Sequence, residues 1–195
     1  MEHSNENIYN CISKYLNLYV KDVPIQYVDL IAFYKCIKEN YNLFTSHNDN
    51  LELIKEIYAY YCKIIQGLYK WKEKTIYIKE TKRNDQCLIL TELLHSKSIT
   101  QGHREIESWL SEGLPHYLSY LLCKECNIEY KKSAFIIYFP IWKFLHKKHG
   151  FNLISRILYT KDLNLTKSIL KSVLLYAKDD ILTLSAKSVK NLLGL

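Results

Sequence analysis

The stretch LTELLHSKSITQGHREIESWLSEGLPHYLSYLL, Leu90 to Leu122, decides how this chain is read. On a helix, positions i and i+4 share a face and i+1 lies beside them. Thr91 and His95 therefore face the same way, with Glu92 next to them. Glu112 follows His95 by 17 positions, and His116 stands four residues beyond it on the same expected helical face. Two imidazoles and two carboxylates at such spacings are the raw material of a metal or acid–base site.

The rest of the chain bounds what that site can belong to. It has 195 residues, close to the size of one domain and enough to bury a core. Five glycines and three prolines argue for long regular segments rather than a loop-rich β architecture. The N-terminal MEHSNENIYNCISKY has neither a basic region nor an apolar run of secretory form. No stretch approaches ~18 uninterrupted apolar residues, so no membrane span is expected and the expected location is cytoplasmic. The net charge of +7 comes almost wholly from dispersed lysines, with Arg83, Arg104 and Arg156 as the arginines. A nucleic-acid binder would cluster arginines with aromatics along one face, so the basic balance does not point to nucleic acid.

Six cysteines are present: Cys11, Cys36, Cys62, Cys87, Cys123 and Cys126. Without an export signal they are expected to be free thiols. Cys123 and Cys126 form a CxxC, but structural zinc needs four ligands and no second such pair exists. Their expected role is that of two ordinary cysteines near a helix end.

Periodicity gives the organisation. VDLIAFYKCIKENYNLF (Val28–Phe44) and LELIKEIYAYYCKIIQGLY (Leu51–Tyr69) place apolar residues at helical spacing, separated by the turn-rich TSHNDN. KTIYIKE (Lys74–Glu80) alternates as a strand does, and LNLYV (Leu16–Val20) is a weaker strand candidate. From Gln86 onward the pattern is helical, with breaks at SITQG, at His149-Gly150 and at TKDLN. The expected fold class is α+β: one mainly helical domain over 1–195 with a small sheet. Residues 1–73 supply N-terminal helices and a possible strand, 74–160 the central core, and 161–195 C-terminal helices.

TELLH followed by WLSEGLPHYLS resembles the gluzincin group of zinc metallopeptidases, in particular small peptidase-MA-like domains. Those read HExxH and then a Trp-x-x-Glu-Gly element. FIIYFPIWKFLHKKHGFNLISRIL (Phe135–Leu158) is similar to the helix that follows in that group, with His149-Gly150 at a Tyr-Gly place. The resemblance spans about residues 74–160 and implies a zincin-like fold. It makes Glu92 the general base and His95 and Glu112 zinc ligands, with Trp109 and Gly113 supporting the cleft. It also puts Thr91 where the first histidine ligand belongs.

Threonine is a poor zinc ligand at neutral pH because its hydroxyl stays protonated. As written, the ordinary ligand set is incomplete. Two outcomes follow. Either the protein is a catalytically silent relative that holds a peptide or protein in the old cleft, or zinc is kept by a rewired set of His95, Glu112 and His116. His103, between the two helices, is a further candidate. Some gluzincins use a transition-state tyrosine, and Tyr138 is one candidate for it that nothing sets apart among the seventeen tyrosines. His146 and His149 flank two lysines and read as surface residues near a helix end. Trp109, Tyr117, Tyr120, Phe139 and Trp142 read as core.

Overall fold

The computed structural model describes residues 5–40, 64–98 and 108–159. The TSHNDN turn, most of the helix expected at 51–69, Cys62, His103, Arg104 and the helices expected over 161–195 lie outside the described residues. The chain forms two compact units, Met1–Ser96 and Lys97–Leu195. The described residues are mainly helical with one three-stranded sheet, which is the α+β class. No described helix is long and apolar enough to cross a membrane.

The first unit opens with α1 (Glu6–Leu16), whose Ile8, Cys11, Ile12 and Leu16 recur at helical spacing and are buried. Asn17 ends the helix in the left-handed conformation (φ 54°), its N–H bonding the Ser13 carbonyl. This corrects the strand candidate at Leu16–Val20, which holds the end of α1 and irregular chain instead. Strand β1 is Ile25–Val28, and α2 (Leu30–Asn40) follows at once. The Asp29 carboxylate starts α2 by accepting the Ala32 N–H at 2.8 Å.

Strands β2 (Gly67–Lys70) and β3 (Thr75–Lys79) form a hairpin, and the sheet order is β1-β3-β2. β1 runs parallel to β3, with Ile25 opposite Ile76, and β2 runs antiparallel, with Gly67 opposite Ile78. β3 lies inside the segment that alternation picked out. β2 corrects the expected helix over 51–69, whose last residues pair in the sheet. Four residues are too short to show a period of two, and their pairing depends on β3. Phe33, Cys36 and Ile37 of α2 pack with Leu68 in a buried cluster.

Lys70 is nearly buried at 8% side-chain exposure, and its ammonium pairs with Glu39 at 2.8 Å and with Glu73. Desolvation of the ammonium is outweighed by those two carboxylates, which hold its pKa above the ordinary lysine range. The unit closes with α3 (Gln86–Lys97), capped by the Asp85 carboxylate on the Leu88 N–H at 3.1 Å.

In the second unit a short helix α4 (Ser108–Ser111) leads into α5 (Gly113–Glu125), then a 3-10 turn (Ala134–Tyr138) and α6 (Phe139–Tyr159). Pro115 and Pro140 each fall in a first helical turn, where a missing N–H costs no intrahelical bond. Gly150 leaves helical geometry (φ 79°, ψ 170°), so the expected break at His149-Gly150 is a kink. Trp142, Leu145, Ile154, Ile157 and Leu158 of α6 are fully buried, as are Leu114 and Leu118 of α5.

Cys11 and Cys126 are each disulfide-bonded, which corrects the expectation of free thiols for those two. Bridging depends on Cα atoms lying roughly 4.4–6.8 Å apart in space, which chain order does not reveal. Cys36, Cys87 and Cys123 are buried and are not disulfide-bonded. With Cys123 outside any disulfide, the CxxC is not a bonded pair.

Candidate functional site

In the first unit the relevant side chains sit on α3. Leu90, Leu93 and Leu94 are fully buried around them. Thr91 is 4% exposed, and its hydroxyl donates to the Cys87 carbonyl one turn back, at 2.8 Å. That hydroxyl serves its own helix rather than standing in as a ligand. Glu92 is also buried, at 8% exposure. His95, nearer the helix end, is half-buried.

A second element bears on Glu92. A Cβ built on Gly67 of β2 would stand 2.9 Å from the Glu92 Cγ and 3.0 Å from its Oε1. The carboxylate stem therefore lies against bare strand backbone. Nothing in the order of residues hints at this contact, because Gly67 falls inside a stretch whose spacing reads as helical.

In the second unit Glu112 is the residue that begins α5, its carbonyl accepting the His116 N–H at 3.2 Å. One turn apart, the two side chains meet: His116 Nε2 lies 4.0 Å from Glu112 Oε2. The imidazole is 19% exposed and the carboxylate 37%. The ring of Phe135 lies against the imidazole, with centroids 4.8 Å apart. His116 is thus largely sheltered from water and beside an acid. The i, i+4 expectation for this pair is met.

The residues named as cleft supports divide. Trp109 lies in α4. Gly113 begins α5, and a Cβ there would stand 2.8 Å from the Tyr138 Cβ and 3.0 Å from the Trp142 Nε1. Its small size is required by aromatic packing. Tyr138 is accordingly a packing neighbour of Gly113 and lies parallel to Phe135, with centroids 6.4 Å apart.

One expected surface residue is only partly exposed. His146 is half-buried, and its Nδ1 lies 3.0 Å from the hydroxyl of Tyr117. Tyr117 is 2% exposed, and burial pushes its phenol up to about 12. This pair was invisible in sequence because its members are 29 residues apart on different helices. His149 is exposed, as expected.

Comparison with known proteins returns no match to a protein family, a curated protein or a solved structure.

Proposed function

We propose that this chain is a metallopeptidase-like protein with a rewired cation site, in which His95, Glu112 and His116 hold one divalent ion, zinc by preference. One observation within the second unit carries the reading: His116 Nε2 stands 4.0 Å from Glu112 Oε2, so two of the three proposed donors already face one another. Two imidazoles and a carboxylate are a zinc donor set with a fourth position left for water. Bonds of ~2 Å in a tetrahedron set ligand atoms roughly 3.3 Å apart, so this pair, now at 4.0 Å, needs to close by about 0.7 Å. The resemblance supplies the remaining role, with Glu92 as the base that takes a proton from attacking water. Zinc, when bound, supplies Lewis acidity and acidifies an attached water.

A second reading is favoured by Thr91. Its hydroxyl is committed to Cys87, and the ordinary i, i+4 imidazole pair is missing. A protein so altered holds a peptide or protein segment without cutting it. The partner class is peptide or protein in both readings.

Zinc titration of the purified chain by calorimetry tests the proposal. The expected result is about one zinc per chain, with affinity falling at least tenfold in His95→Ala and in His116→Ala, as loss of a ligand demands. No zinc uptake, or uptake indifferent to both changes, overturns it. If zinc binds, hydrolysis of unstructured peptides that disappears in Glu92→Gln selects the enzyme, and its absence selects the silent form.

A further inference from the structure

We infer that Gly67 is a positioning residue for Glu92: its missing side chain is the slot that holds the Glu92 carboxylate in one orientation. The inference rests on the proposed reading only for what the carboxylate then does. The contact itself stands apart from it.

Three observations point the same way. First, a Cβ at residue 67 would meet Glu92 at Cγ (2.9 Å), Oε1 (3.0 Å) and Cδ (3.2 Å), so the obstruction runs along the stem and head of a single side chain. Second, Gly67 is not required by its backbone. Gly150 has the positive φ among the described glycines, and Gly67 lies in a regular antiparallel register opposite Ile78. Any residue adopts such a conformation, and a β-branched one would favour it. Glycine costs a strand entropy and packing, so the space taken by Glu92 accounts for it.

Third, neither partner can retreat freely. Glu92 is 8% exposed on a helix whose Leu93 and Leu94 are fully buried. Gly67 is held by β3, whose Ile78 is also fully buried. A methyl group at residue 67 must therefore turn the carboxylate rather than merely brush a mobile chain end. A reacting carboxylate loses efficiency when misplaced by ~1 Å, so the strand sets the aim of the acid.

Gly67→Ala, Glu92→Ala and the double variant of the full chain test this. Alanine removes Cγ, Cδ and Oε1, the atoms that the new methyl group would strike. The expected result is that Gly67→Ala lowers Tm by about 3 °C when Glu92 is intact, and by less than half of that in the Glu92→Ala background. A glycine needed for the strand alone would give equal losses in both backgrounds, and that result overturns the inference. A second readout follows cobalt(II) as the probe ion. Gly67→Ala should leave cobalt stoichiometry unchanged but alter the visible spectrum in the same sense as Glu92→Gln. If the chain takes no cobalt, the proposed cation site fails while the Tm comparison still decides the role of Gly67. If cobalt binds and Gly67→Ala leaves the spectrum untouched, the positioning role is overturned.

Discussion

Gly67 and Gly113 are both places where a single methyl group has no room, yet the obstacles differ. At Gly113 the nearest atoms are the Tyr138 Cβ and the indole of a fully buried Trp142. The former is anchored directly to backbone, so nothing there yields cheaply. At Gly67 the obstacle is the side chain of Glu92, which has rotatable bonds. Gly113 thus serves packing, and Gly67 serves the placement of the Glu92 side chain. A glycine in a tight spot is informative only once the atom that crowds it is known.

The largest test of this contrast is removal of the obstacle in the second unit. Trp142→Ala should cost about 4 kcal/mol, since it empties a fully buried aromatic site. Denaturant unfolding would measure it, and a loss under about 1 kcal/mol would mean the aromatic core around Gly113 is misplaced. Next comes Gly113→Ala, expected to cost about 2–3 kcal/mol by overpacking, more than Gly67→Ala does. Equal costs at the two glycines would erase the distinction drawn between them.

A pH test follows from Tyr117, also in the second unit. Its phenol titrates near 10 when unfolded and is pushed by burial up to about 12 when folded. Below pH 10 both states are protonated, and this group adds no pH dependence. Between pH 10 and 12 the unfolded state loses its proton first, so stability contributed by the neutral phenol falls as pH rises. Denaturant midpoints across that window should decline, and Tyr117→Phe should reduce the decline by about one proton's slope. An unchanged slope would show that another group governs alkaline unfolding.

The smallest effect belongs to the vacated ligand position. Thr91→Val keeps the shape and removes the hydroxyl that bonds the Cys87 carbonyl, and should cost about 1 kcal/mol or less. Zinc affinity should not change. A clear fall in affinity would mean that Thr91 does more than support its helix.

What could be read in advance follows from the range of the forces involved. The alternation of Lys74–Glu80 announced β3, although the burial of its Thr75 and Lys79 is not shown by their types. The spacing of Glu112 and His116 announced their contact, because one helical turn fixes it. Gly150 announced a break that the structure shows as a kink. In each case the cause lies within a few residues of its effect.

The misread elements have distant causes. β1 is four residues that pair with β3 in parallel, Ile25 with Ile76, and nothing within Ile25–Val28 records that partner. β2 sits at the end of an apolar run whose spacing also fits a helix, and becomes a strand because β3 offers it a ladder. The meeting of Tyr117 with His146 likewise depends on approach between two helices whose residues lie 29 apart in the chain. The sequence by itself determined the α+β class, the strand at Thr75–Lys79 and the acid–imidazole pairing along α5, because local periodicity and helix geometry suffice for these. Only the tertiary structure decided that Tyr117 meets His146 and that the Glu92 carboxylate lies against Gly67. Those outcomes turn on burial and on contacts within ~3 Å, which backbone pairing sets and residue order does not display.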